Sequence, residues 1–320
     1  MVEQVAQSRK VVIVGAGAVG STFAYALAQS GLAEEIGLVD RNPDLVQGQV
    51  LDLAHGMPFF PFVRIRVADV TDYADASVIV ITAGSKQRPG ESRLDLLQRN
   101  ASITKGIMDE IMAQNSEAVI LLVSNPVDVL TYVAQKHSGW PRGRILGSGT
   151  VLDSARFRYL LSEHCNLSAH NVHAYILGEH GDSEFAPWSM VHLAGISIDQ
   201  YCPLCGKCGD WRQTRVDIEE DVRNSAYHII NYKGSTYYAV GLALVRIVRA
   251  ILRDERRVLT VSTLLQGEYG IEDVCLSVPT VLSRRGVERI IGAELPPEEQ
   301  AALEHSATVL KEALAGLYDT

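Results

Sequence analysis

Residues 10–31 read KVVIVGAGAVGSTFAYALAQSG. After the lysine come four β-branched residues, a short apolar run of the kind found in strands buried on both faces. Gly15-Ala16-Gly17-Ala18-Val19-Gly20 follows at once, and beyond it Val19, Phe23 and Leu27 share one helical face, with Ser30 and Gly31 as the stop. A G-x-G-x-x-G run means little alone, but between a strand and a helix it is the turn that receives a dinucleotide pyrophosphate. Gly15 permits the tight turn, Gly17 lets the pyrophosphate approach the backbone, and Gly20 packs helix against strand, while free amides at the helix start face the phosphates. A glycine-rich turn without a ligand is the competing reading. Asp40 argues against it: twenty residues after Gly20, at the end of the next strand, its carboxylate can accept hydrogen bonds from an adenosine ribose and would repel a 2′-phosphate. NAD is therefore expected over NADP, although Arg41 pulls the other way and capping of the next turn is an alternative duty for Asp40.

The alternation continues outward. Further strands are expected at residues 36–40, 63–67, 78–82, 119–123 and 144–147, separated by segments of helical period, as in a parallel sheet covered on both faces. After about Gly149 the pattern changes to a helix over 151–165, a strand over 172–177, long helices over 217–232 and 236–252, and two paired strands, RVLTVSTL and CLSVPTVL, split by turn signals at Gly267 and Gly270. A last helix opens after Pro296 and Pro297 and carries Leu303, Ala307, Leu310, Leu314 and Leu317 as a core stripe. The expected fold is thus α/β: a Rossmann-type doubly wound parallel sheet over residues 1–149, followed by an α+β substrate domain over 150–320 that abuts it closely.

Composition narrows the function classes. The 320 residues hold 29 Lys and Arg against 38 Asp and Glu, a formal charge of −9, and 47% are apolar. That is a globular, mildly acidic chain with no basic stripe for nucleic acid. No apolar run nears the roughly 18 residues needed to span a bilayer, and residues 1–10 lack the apolar core of a signal peptide. With only five cysteines, at 165, 202, 205, 208 and 275, a reduced cytoplasmic setting is expected, with neither nucleic acid nor membrane as partner.

In Gly178-Glu179-His180-Gly181-Asp182, His180 follows an apolar strand among small and polar residues, and in the helix opening at Val151, Asp153 and Arg156 stand three apart on one face. Reduction of a 2-oxo acid needs a proton donor for the carbonyl oxygen, a carboxylate to orient that donor and a bidentate cation for the substrate carboxylate. His180, Asp153 and Arg156 fit those needs; a surface i,i+3 ion pair is the alternative for the last two. The polar segment GSKQRPGESR, from Gly84 to Arg93, joins a strand to a helix and reads as an active-site lid or an ordinary surface loop.

GAGAVG, the VD at 39 and 40, AGSKQRPGESRLDLLQRN, SNPVD, LDSARFR and GEHGDSE together resemble the lactate/malate dehydrogenase family, and its bacterial, lactate-using side in particular, from about Lys10 to the C-terminus. The resemblance implies that His180 is the proton donor and acceptor, Asp153 its orienting partner, Arg156 the carboxylate clamp and Arg93 the lid arginine that polarises the carbonyl. It implies that Asn125, before a cis Pro126, touches both nicotinamide and substrate, that Gly84 adjoins the cofactor, and that Thr236 and Val240, four apart on a helix, line the pocket. Gln87 bears on substrate class: in malate-preferring relatives the corresponding residue is an arginine that pairs with a second carboxylate. Here it is neutral and close to Glu91, so a dicarboxylate would bury an unpartnered charge.

Arg158 lies two residues beyond Arg156, about 200° round the helix and away from the substrate face. With His173 it matches positions at which allosteric bacterial relatives bind fructose 1,6-bisphosphate across a two-fold interface; an interface arginine and a core histidine are the alternative. The family also implies a homotetramer. Cys202, Cys205 and Cys208 depart from the family pattern. They offer three thiols for zinc, one short of the usual structural set, or lie free in a surface loop, and no metal is expected. Pyruvate and L-lactate are the expected substrates. A malate enzyme of the same family, a non-catalytic NAD-sensing protein and an NAD-using glycosidase with a metal-binding Cys/His site are the rival readings.

Overall fold

Every residue of the opening strand is buried, which places it at the centre of the fold. In the computed structural model, which describes residues 9–85, 90, 92–207 and 209–318, β1 (Lys10–Val14) lies within a nine-stranded sheet. It is flanked in parallel by β2 (Glu35–Val39) and β4 (Val78–Ile81); β3 (Arg64–Val67) extends the sheet beyond β2, and β5 (Val119–Leu122) and β6 (Ile145–Gly147) extend it beyond β4. The helices α1 (Ala18–Ser30), α2 (Pro43–His55), α3 (Arg93–Ala113) and α4 (Val127–Ser138) join these strands. Alternation along β1 builds a core on each face: Val11 and Ile13 pack with Phe23 and Leu27, whereas Val12 and Val14 pack with Met108 and Ile111. The order 3-2-1-4-5-6 reverses between β1 and β4, and the crevice beyond their carboxyl ends is where such sheets bind ligands.

The second half begins with α5 (Val151–Cys165) and a small antiparallel sheet of β7 (Val172–His173), β8 (His192–Leu193) and β9 (Ile196–Ser197). Then come α6 (Ile198–Cys205), α7 (Trp211–Lys233), α8 (Tyr238–Leu252), the strands β10 (Arg257–Gln266), β11 (Glu272–Ser283) and β12 (Gly286–Ile290), and α9 (Pro297–Tyr318). The expected hairpin forms, with Val261 opposite Val278 and both Gly267 and Gly270 at positive φ in its connection. It also joins β6 through Ser262 and Gly147, so the first half's sheet continues into the second. Leu303, Ala307, Leu310 and Leu314 of α9 are buried as a core stripe with Val274 and Leu276 of β11.

Two expectations are corrected. The strand over 172–177 shortens to two residues, because β8 offers only two partners and the Ala174 carbonyl accepts a hydrogen bond from Arg158 Nε at 3.1 Å instead. The helix expected from 236 begins at Tyr238: Gly234 closes α7 in the left-handed region at φ 82, and Tyr237, at φ −153, is still outside a helix. Thr236 therefore lies in the connection and shares no helical face with Val240. Among the described residues no helix is long and apolar enough to cross a membrane.

Close packing at the first turn gives a direct test. A Cβ on Gly20 would stand 1.8 Å from the Gly15 carbonyl oxygen and 2.8 Å from Thr82 Oγ1, so the backbone has to move to admit it. Gly20→Ala is expected to destabilise the chain by about 1–3 kcal/mol or more in denaturant unfolding, with a parallel loss of NADH affinity by fluorescence titration.

Candidate active site

The dinucleotide turn opens onto a cleft of about 520 Å³ whose walls include Gly15, Gly17, Asp40, Tyr73, Thr82 and Gly84. Gly15 adopts φ +110, where a side chain would also strike Ala83, while a Cβ on Gly17 would meet nothing within 4 Å. The second glycine thus leaves the open approach that a pyrophosphate requires. Asp40 Oδ2 accepts the Ala16 amide at 2.8 Å and Oδ1 the Asn42 amide at 3.0 Å, so this carboxylate ties the turn to the end of β2 and caps the following bend while lining the cleft. The Tyr73 hydroxyl, also at the cleft, is buried with no hydrogen-bond partner among the described residues. Val19 and Val240 are half-buried against the same core, where α1 and α8 meet closely enough that a Cβ on Gly241 would lie 3.1 Å from Thr22. These features fit NAD: an open glycine, free helix-start amides and a carboxylate beside the cleft.

The second cluster depends on two tight backbone approaches. A Cβ on Gly149, at φ +52, would lie 2.5 Å from the Ser262 amide nitrogen, and its absence lets α5 start against the β10–β11 hairpin, with the Thr150 amide bonded to the Thr260 carbonyl at 3.1 Å. Gly178, at φ +96, exchanges two 3.0 Å backbone hydrogen bonds with Ser277 of β11. The loop after it is held further by the His180 amide, which donates to Asp128 Oδ2 at 2.8 Å. Burial pushes the Asp128 carboxyl up to about 6, against the pull of polar neighbours that include this amide.

So placed, His180 Nδ1 meets Asp153 Oδ2 at 2.6 Å, and Arg156 Nη1 donates to Asp153 Oδ1 at 2.7 Å. Far from being a surface ion pair, Asp153 and Arg156 have side chains only 2% and 13% exposed. Burial opposes ionisation of Asp153, but the charge and hydrogen bond of His180 and the pair with Arg156 outweigh it and hold the carboxyl below its ordinary value. Reciprocally, the Asp153 charge overcomes burial and pushes the His180 imidazole up to about 9. His180 is thus a cation at neutral pH with its Nε2 directed away from Asp153, and Arg156 keeps most of its five N–H donors for an anion.

Other expected residues are placed less completely. Asn125 precedes a cis bond to Pro126, and its carbonyl accepts from Asn100 Nδ2 at 3.1 Å; Asn100 Oδ1 in turn accepts the Ser85 amide at 2.8 Å. Sequence reading missed Asn100, although a polar residue on the buried side of α3 is the signal that exposes it. Arg93 opens α3, with Ser92 as N-cap, but its side chain lies outside the described part of the chain, as do Gln87 and Glu91. Cys202 and Cys205 lie on α6, and Cys202 is buried with Cys165 in an apolar cluster rather than set in a surface loop; Cys208 lies outside the described residues.

A dinucleotide cleft at the switch point, with a His–Asp–Arg cluster supplied by the other half of the chain, is the equipment of an NAD-dependent oxidoreductase. The model of the lactate/malate dehydrogenase NAD binding domain matches residues 9–147 and that of the family's alpha/beta C-terminal domain matches 150–318; the chain belongs to this family, and NAD is its cofactor. It is 60% identical to an L-lactate dehydrogenase of Treponema denticola over 96% of this chain and 98% of that one. A lactate dehydrogenase from a Medee basin deep-sea metagenome library superposes with a TM-score of 0.95 at 42% identity, covering 97% of this chain and 99% of that one. The minor L-lactate dehydrogenase of Enterococcus mundtii, in its ligands-bound form, gives 0.93 at 41% identity over 96% and 98% of the two chains.

The origin of the His180 charge is testable. In Asp153→Asn the imidazole loses its anion while Arg156 stays close, so its pKa should fall from about 9 to the ordinary 6.5 or lower, read from the imidazole resonances in an NMR titration. A titration that stays near its wild-type midpoint would assign the charge to another source.

Proposed function

We propose that the protein interconverts pyruvate and L-lactate. The observation that carries the reading is the Asp153 carboxylate bonded through one oxygen to His180 and through the other to Arg156. Residues 1–149 hold the dinucleotide, through Gly15, Gly17, Val19, Gly20, Asp40 and Gly84, and residues 150–320 add the proton donor, the substrate clamp and Val240. NADH, when bound, supplies the hydride that adds to the carbonyl carbon. Arg156 pairs with the substrate carboxylate and Arg93 polarises the carbonyl, while Asn125 and Thr236 border the pocket. His180 gives the proton on Nε2 to the carbonyl oxygen, and Asp153 holds the ring in register and stabilises its charge. The reduction needs the imidazolium, so its kcat/KM falls as pH rises through about 9; lactate oxidation needs the neutral ring and gains over the same range. Neutral Gln87 favours a monocarboxylate over oxaloacetate, and the relatives named L-lactate dehydrogenase support the same choice. A cytoplasmic homotetramer working in fermentation completes this reading.

Regulation by fructose 1,6-bisphosphate belongs to the same proposal. Arg158 Nε bonds the Ala174 carbonyl, next to the exposed His173, which faces His192 across β7 and β8; Arg257 adds positive charge near Arg158. Burial lowers the Arg158 pKa, as it does for a cation with no partner anion, and none pairs with it among the described residues. Duplicated by a two-fold axis, this basic group suits two phosphates.

Activity is tested by NADH oxidation over a panel of 2-oxo acids. Pyruvate should lead, and His180→Asn should bind NADH normally while turnover drops roughly 100- to 10,000-fold, the range for a lost general acid. Oxaloacetate in first place, or turnover within a few-fold of wild type in His180→Asn, contradicts the assignment. For the effector, fructose 1,6-bisphosphate should lower the KM for pyruvate, and replacing Arg158 and His173 together with uncharged residues should abolish that response; a double variant that responds like wild type rejects the site.

A further inference from the structure

Glu184 follows His180 by four residues on the same loop and is 5% exposed. One of its carboxyl oxygens, one of Asp153's and one ring nitrogen of His180 all lie within 4.8 Å of one another. Its backbone carbonyl accepts a hydrogen bond from Arg223 of α7 at 3.3 Å, but among the described residues its carboxyl forms none. Two carboxyls this close in a dry pocket cannot both ionise cheaply. Asp153 has direct bonds to both His180 and Arg156, so the negative charge is favoured there, and burial and the Asp153 charge raise the Glu184 carboxyl well above the ordinary range.

We propose that Glu184 is a positioning residue for the hydride-transfer reaction, a second buried carboxyl whose ionisation beside His180 keeps the donor proton on the imidazole into the alkaline range. Asp153 and Arg156 of α5 face Glu184, as do His180 of its own loop and Arg223 of α7. Glu179, Asp182 and His305 of α9 line the small cavity on its other side, and Asp128 of α4 approaches His180. As pH rises, the imidazolium makes it easier for Glu184 to release its proton. The new anion, within 4.8 Å of the ring, then makes the imidazolium harder to deprotonate.

The test is the alkaline limb of kcat/KM for pyruvate. Glu184→Gln keeps the shape of the neutral acid and removes the titration, so the ratio of kcat/KM at pH 9 to that at pH 6 should be about two- to sixfold lower than in wild type, equivalent to a midpoint lower by about half to one pH unit from about 9. Glu184→Asp, which retains a carboxyl, should recover part of the limb. A purely structural role would scale activity equally at every pH, so a Glu184→Gln profile superimposable on wild type after scaling, or an Asp variant no better than Gln, overturns the proposal. Wild type supplies a second readout needing no variant: the His180 imidazole should titrate in two coupled steps by NMR, and a single step is the contrary result. The proposal rests on His180 as proton donor. If that reading is wrong, His180→Asn keeps its turnover; if only this one is wrong, His180→Asn is inactive and the Glu184→Gln limb does not move.

Discussion

One buried carboxylate organises the reacting end of this molecule. Asp153, with its side chain 2% exposed, faces a desolvation cost of several kcal/mol as an anion, and it is stable there only because each oxygen has a cationic partner. The same two bonds do different work at their far ends. On one side they fix the imidazole by Nδ1 and keep it charged; on the other they aim a guanidinium that still has donors to spare. Loss of either partner would leave an uncompensated buried charge, at a cost of about 3–5 kcal/mol. Stability and site geometry are thus one problem here.

Bringing those partners together falls to backbone that no side chain could replace. Gly149 lets α5 begin against the β10–β11 hairpin, and Gly178 seats the His180 loop on β11 through a pair of hydrogen bonds. Because that hairpin also extends the parallel sheet through β6, the surface bearing His180 is tied to the surface bearing the dinucleotide turn. Rigid strands rather than loops therefore set the distance between the two halves of the chemistry. The Asp128 carboxyl, pushed up to about 6 by its depth, adds a third fixing point at the His180 amide.

The dinucleotide side follows a different logic, in which glycine leaves space and polar groups mark its edges. Gly17 leaves an opening while Gly15 and Gly20 close up against each other, and Asp40 joins the turn to β2. The Asn100 amide links the Ser85 backbone to that of Asn125, joining the ends of two loops that border the crevice. Such cross-links hold connecting segments in one shape at the mouth of a site.

Much of this was legible in the chain. The β-branched runs, the glycine spacing and the stripe of α9 are local patterns, and local sterics and periodicity decide them; the six parallel strands appear within a residue or two of where the composition puts them. Asp153 and Arg156, one helical turn apart, were readable for the same reason. Thr236 was not, because whether a chain resumes its helix after a glycine depends on what it packs against. Nor were Asn100, Asp128 and Glu184, whose importance comes from neighbours 15 to 52 residues away in the chain, or, for Glu184, from a carboxyl on another element. Cys202 is buried because an apolar cluster around α5 and α7 surrounds it, a fact no spacing of cysteines contains. The sequence by itself determined which elements form and which residue types can do the chemistry, since those follow from backbone sterics and side-chain functional groups. Only the tertiary structure decided which carboxyl is ionised and which imidazole is charged, because burial and through-space charge depend on contacts between segments that the chain order keeps apart.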